Sequence, residues 1–155
     1  MEQEERLRFS SFNEENAWQL GCLFAERAER DGLDISVDIA TKDRVLFRHS
    51  RAGTSPDNEA WIERKKRTVN RFGHSSFYIG KKLESLGLTI SQKYYLSEKD
   101  YAAHGGCFPL IVEGVGVIGT VTVSGLPQEE DHALVVEVLS AYLAGARSGA
   151  QGSGA

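Results

Sequence analysis

The sequence is poor in the residues that advertise cross-links or metal centres. It has two cysteines, three prolines and one methionine among 155 residues. Cys22 and Cys107 are far apart, which excludes a disulfide framework and a Cys-x-x-Cys zinc site. The four histidines, His49, His74, His104 and His132, show no His-x-x-x-His spacing either. No apolar run approaches the ~18 residues of a membrane span, so no membrane partner is expected. A basic excess is also missing: 18 Lys and Arg face 22 Asp and Glu, for a net charge of −4. A dedicated nucleic-acid binder is therefore not expected. The N-terminus, MEQEERLRF, is acidic and polar rather than a secretory signal. These absences together point to a cytoplasmic protein.

What is present suits one globular core: 41% of residues are hydrophobic and 26% charged. Residues 1–147 read as a single domain without internal repeats. The tail 148–155, SGAQGSGA, is small and Gly-rich and is expected to be disordered.

Periodicity and capping residues outline the elements. Asn13 is a candidate N-cap, followed by Glu14 and Glu15 where the helix dipole favours acids. Ala17, Leu20, Phe24 and Ala28 then share one helical face, and Gly32 stops the run. Residues 34–39 alternate polar and apolar, which predicts a strand with one wet face, and Val45-Leu46-Phe47 is its hairpin partner. A second helix runs from Pro56 to about Phe72, with Trp61, Lys65, Thr68 and Phe72 on one side. Gly73 ends it, Ser75 or Ser76 caps a third helix to about Leu86, and Gly87 stops that one. Residues 89–103 are ambiguous, with 93–96 readable as a short strand or a loop. Two β-branched strands follow, at 107–112 and 117–123. Pro127 then starts a last helix with Glu129, Glu130 and Asp131 in its first turn and Leu134, Val135, Val138, Leu139 and Tyr142 on its buried face.

Between those last strands, Gly114, Gly116 and Gly119 have the dinucleotide-binding spacing G-x-G-x-x-G. That motif must leave a strand and enter a helix whose N-terminus meets pyrophosphate. Here Gly119 is followed by Thr-Val-Thr-Val, and the next helix opens with three carboxylates. The glycines read instead as a hairpin turn. Tight turns between strands imply antiparallel pairing, hence an α+β domain rather than a doubly wound one.

The segment HGGCFPLIVEGVGVIGTVTVSGLPQEEDHALVVEVL resembles the haem-degrading domain family, the GlcG/HbpS-like proteins, in Gly105, Gly106, Pro109, Gly114, Gly119, Val123, Ser124, Gly125 and Asp131. Lys65, Thr68 and Phe72 match the family's Lys, Thr and aromatic at 0, +3 and +7. Thr122 stands where the commoner pattern has glycine and Val69 where it has alanine, and one more residue separates the glycine pair from Pro109. The chain is most similar to the branch of uncharacterised proteins. The resemblance implies a profilin-like α+β fold, an antiparallel sheet flanked by helices, and homo-oligomers built from dimers. It also implies haem association, recorded for some relatives, and no established reaction.

Candidate ligand-binding residues follow from both readings: Lys65, Arg64, Arg67, Thr68, Arg71, His104, Gly105 and Gly106. Haem iron takes an axial His, Cys, Met or Tyr beside an apolar slot, and His104 is the candidate ligand, against its reading as a loop histidine. Arg64, Arg67 and Arg71 form one helical stripe suited to phosphate, a haem propionate or an acidic partner, or paired with Glu59 and Glu63. Lys65, among aromatics, is either a snorkelling stem or an anion-binding group. Cys107 reads as a small buried hydrophobe. His74 is expected to help cap a helix, His132 to be solvated, and Ser124 to be a structural cap rather than a nucleophile. Trp61, Phe77, Tyr78, Tyr94, Tyr95 and Tyr101 are candidate subunit contacts, or else lie under the central helices. Three functions fit: a haem or anionic-tetrapyrrole binder, a protein-interaction module, and an enzyme of undefined reaction with a site between subunits.

Overall fold

The computed structural model describes residues 2–153, with side chains to residue 145. The tail expected at 148–155 lies outside the described side chains, and residues 154–155 lie outside the described chain. A short N-terminal helix, α1 (Glu2–Arg6), leads to α2 (Glu14–Asp31). The α2 cap is reciprocal: Asn16 N–H donates to the Asn13 side chain and Asn13 N–H to the Asn16 side chain. Ala17, Leu20, Phe24 and Ala28 are buried, and Gly32 ends the helix at φ 65°.

The hairpin β1 (Ser36–Thr41) and β2 (Val45–Ser50) follows. Helices α3 (Pro56–Phe72) and α4 (Ser76–Leu86) have the predicted bounds, with Ser75 capping α4 through a bond from Tyr78 N–H. His74 does not cap. Its Nδ1 meets Glu4 Oε1 at 2.9 Å, and the other Glu4 oxygen accepts from Ser75 N–H. The ambiguous stretch holds a single helical turn and a half, α5 (Ile90–Tyr94), rather than a strand. Thr89 and Gln92 cap it reciprocally. Then come β3 (Cys107–Val112), β4 (Gly116–Ser124) and α6 (Gln128–Ser153).

The four strands form one antiparallel sheet in the order β2-β1-β4-β3. The domain is thus α+β, with helices on both faces, as expected. Gly114 (φ 79°) and Gly116 (φ 109°) turn the β3–β4 hairpin. Gly119 lies inside β4, where a Cβ would collide with the Ala40 carbonyl of the neighbouring strand. The G-x-G-x-x-G spacing is therefore spent on a hairpin and a close strand approach.

The expected wet face of β1 is wrong. β1 is a central strand, and Ser36 and Asp38 are fully buried. The face toward α2 and α6 carries Val37, Ile39, Phe108, Leu110, Val121 and Val123. The opposite face carries Asp38, Cys107, Thr120 and Thr122, and α3 lies across it. The alternation was real, but α3 covers the polar side and charges match there: Asp38 pairs with Lys66 of α3 at 3.2 Å and with Arg48 of the neighbouring strand β2 at 2.7 Å.

Candidate functional site

A cleft of about 340 Å³ opens where α3, the end of β4 and the start of α6 meet. Its base is an ion pair. Lys65 sits one helical turn after Trp61 and two after Asn58, so all three lie on one face of α3. Lys65 Nζ donates to Asp131 Oδ2 at 3.1 Å and to the Val123 carbonyl at 3.0 Å, and both charged side chains are 3% exposed. Asp131 stands in the first turn of α6, where the helix dipole favours an acid. Its second oxygen accepts from Leu126 N–H at 3.0 Å. Burial pushes its pKa up to about 6, against the opposing pull of Lys65 and of the Leu126 and Gly125 amides.

The glycine pair is explained by this ion pair. Gly106 has φ 133°, and a Cβ there would run into the Val123 carbonyl and Lys65 Nζ. Gly105 is packed against the Gln128 backbone and the Phe77 ring, and its N–H donates to Gln128 Oε1 at 3.0 Å. Gly105 and Gly106 let the loop press onto the Lys65–Asp131 pair; they leave no room for a side chain.

His104 is exposed and forms the ridge beside the cleft. Its ring meets Trp61 edge-on at 5.2 Å, and the Arg64 guanidinium lies 4.3 Å from the Trp61 ring centre. Partial desolvation, then the cations Lys65 and Arg64, lower the His104 pKa from its ordinary value, which favours the neutral imidazole. Beyond the ridge lies a groove of about 380 Å³, lined by Leu83, Leu88, Ile90, Tyr101 and Ala103 together with Arg64, Glu84 and Glu98, with His104 as the wall it shares with the cleft.

The structure thus brings Lys65, Gly105, Gly106, His104 and Arg64 together. It does not bring in the rest of the predicted set. Thr68 is buried, and its hydroxyl returns to the Arg64 carbonyl. Arg67 and Arg71 are exposed and line neither the cleft nor the groove. Arg67 donates to the Asp100 carbonyl. Glu63 turns away from the arginine stripe to Arg48 and Lys66. Asn58, Trp61, Ser124, Gln128 and Asp131 are cleft residues absent from the predicted set. Their signal was the 58–61–65 helical spacing and the acid opening the last helix.

Two nucleophile candidates are closed off. Burial pushes the Cys107 thiol up to about 12, and Thr122 donates its hydroxyl to the Cys107 sulfur at 3.1 Å. Ser124 is buried and receives a 3.5 Å bond from the Asn58 amide. His132 corrects another expectation. It is 6% exposed rather than solvated, stacked 4.4 Å from Phe77 with Nε2 2.8 Å from Gln3 Oε1. Burial lowers its pKa to about 4. Among the described residues no helix is long and apolar enough to cross a membrane.

Comparison with known proteins gives this arrangement a family. The chain is 48% identical over 141 residues to a UPF0303 protein of Streptomyces avermitilis, covering 91% of this chain and 86% of that protein. A UPF0303 protein of Paraburkholderia phymatum is 49% identical over the same shares of the two chains. Among solved structures, the Ybr137w protein superposes with a TM-score of 0.85 at 36% identity, covering 91% of this chain and 84% of that one. PduOC, solved as a haem complex, shares the fold at a TM-score of 0.70 and 16% identity over 85% of this chain and 94% of its own. The family model described as haem degrading protein, HbpS-like, matches residues 12–140, and the chain belongs to that family.

Proposed function

We propose that the protein binds haem or a related anionic tetrapyrrole, with one edge of the macrocycle in the Leu83–Leu88–Ile90 groove and His104 toward the metal. The observation that carries this is the His104 ridge: an exposed imidazole with a lowered pKa, at the wall of a groove that presents Leu83, Leu88 and Ile90, beside an arginine. A haem site needs those three parts: a neutral donor, an apolar slot, and a cation for propionate. The residues present fit them. Arg64 is the better cation, because it lines the groove itself. Lys65 is less suited, because Asp131 already balances it. The groove is at the small end of ligand sites, roughly 300–1,000 Å³, so the rest of the macrocycle would stay exposed. The haem named for PduOC, which has this fold, is in keeping with the reading.

A hemin titration followed by visible absorption tests it. A saturable one-to-one Soret shift, lost in His104→Ala and weakened in Arg64→Ala, is expected. A weak, unsaturating change common to all three proteins would mean nonspecific adsorption.

We also propose that the protein works as a homo-oligomer built from dimers. Trp18, Val115 and Tyr95 are 60%, 73% and 90% exposed, large apolar surfaces of the kind enriched at subunit contacts. A monomeric mass by light scattering at micromolar concentration would defeat that reading.

A further inference from the structure

We infer that the cleft over Lys65 and Asp131 is a second ligand site, separate from the groove, and that it takes a small organic carboxylate.

The hydrogen-bonding capacity of its lining is lopsided. The acceptors at the base are taken. Asp131 receives Lys65 on one oxygen and Leu126 N–H on the other. Asn58 Oδ1 receives Ser55 N–H at 3.0 Å, and Gln128 Oε1 receives Gly105 N–H. The donors are in surplus. A lysine ammonium has three N–H bonds, and Lys65 uses two. The Gln128 amide nitrogen and the Trp61 indole N–H donate to nothing among the described residues. The Asn58 amide has only a 3.5 Å bond to Ser124. A cleft floor whose acceptors are paired and whose donors are in surplus is completed by a molecule that is all acceptor. A carboxylate is that, and its bond to an ammonium is charge-assisted.

The cleft lies at the N-terminal ends of α3 and α6, where the first-turn acids Asp57 and Asp131 already answer much of the positive dipole, so recognition rests on the donors rather than on the helix ends. The one free carboxylate in the lining, Asp57, is exposed and therefore screened by water. The Lys65–Asp131 pair is neutral as a unit. The Trp61 ring in the wall gives a flat apolar body somewhere to lie. Burying a lysine and an aspartate gains little stability by itself, so a pair kept under an open cleft suits recognition better than support.

The test titrates the full chain, without hemin, with benzoate and with its uncharged isostere benzamide, following backbone amide NMR shifts. Benzoate is expected to give saturating shifts at Gly125 and Leu126, with affinity at least about tenfold above benzamide, the gain expected of a charge-assisted bond. Ser124→Ala and Gln128→Leu, which break no ion pair, should each weaken benzoate several-fold. Leu88→Asp, in the groove, should leave benzoate binding unchanged while impairing hemin uptake, so the two sites fail separately. Equal affinity for benzamide, unsaturating shifts, or benzoate binding indifferent to both cleft variants would overturn the proposal. Lys65→Met with Asp131→Leu removes both charges together, and after a folding check by circular dichroism it should abolish the preference for benzoate over benzamide.

Discussion

The two faces of the sheet are built on opposite plans. Toward α2 and α6, the strands present Val, Ile, Leu and Phe to an apolar core in which Leu20, Phe24, Ile39 and Leu110 are fully buried. Toward α3, the same strands present Asp38, Thr120, Thr122 and Ser124, just as deeply buried, against Lys65, Lys66 and Thr68. The first face gains stability from area removed from water. The second must satisfy every polar group it hides, and its energy resides in a few pairs. The cleft opens on the second face. The proposed carboxylate site is thereby confined to the layer that contributes least to the hydrophobic core.

The largest effects should separate the faces by mechanism. Phe24→Ala leaves a cavity and is expected to cost about 3–5 kcal/mol in urea denaturation. Lys65→Met should cost as much, about 3–5 kcal/mol, by leaving the buried Asp131 carboxyl without its counter-ion. The distinction lies in rescue. Asp131→Leu added to Lys65→Met should restore most of the loss, whereas no single polar change rescues Phe24→Ala. If Lys65→Met costs below about 1 kcal/mol, the pair is no better than a surface salt bridge and the contrast collapses.

Gly106→Ala comes next. A side chain at φ 133° is strained and would push into Lys65, so a loss of about 1–3 kcal/mol is expected from the melting midpoint. A neutral outcome would mean that the loop does not press on the ion pair. Thr122→Val should cost less, about 0.5–1.5 kcal/mol, by removing the hydroxyl that donates to Cys107. Its thiol should stay unreactive toward disulfide reagents in the native protein of both forms, and rapid labelling would contradict its burial.

The last comparison is a titration. Asp131 holds its proton more tightly when folded, with a pKa near 6 against an unfolded value near 3.8. Its contribution to stability is therefore fullest below 3.8 and is lost as pH rises through 6. A carboxyl-carbon NMR midpoint near 6 for Asp131 would show burial outweighing the nearby ammonium. A midpoint below 3.8 would show the reverse and make the polar face more favourable than described.

Much of this was readable from residues. The α2, α3 and α4 boundaries followed from Asn13, Pro56, Ser75 and the glycines at 32, 73 and 87. The α5 turn was missed, although Thr89-x-x-Gln92 is a capping box that could have marked it. The polar face of β1 was not. Alternation tells which residues share a side, but whether water or a charged helix covers that side depends on tertiary packing. The same limit hid His132, whose neighbours Phe77 and Gln3 come from distant segments. It also hid the division of the arginine stripe, where Arg64 reaches Trp61 while Arg67 turns to Asp100. Two departures from the commoner family pattern prove to be one feature. Cys107 lies in the lengthened stretch before Pro109, and its cross-strand partner is Thr122, whose hydroxyl it receives.

The N-terminal segment has a consequence for growth of the sheet. Phe9 forms a parallel bridge to Val112, with Phe9 N–H bonded to Ile111 and Glu113 N–H to Phe9, so the chain itself occupies the β3 border. β2 at the other border pairs only with β1 among the described residues. A ribbon blocked at one side and open at the other can be lengthened once, by a two-fold pairing that uses up both open borders. Head-to-tail stacking into an endless filament has no second border to use.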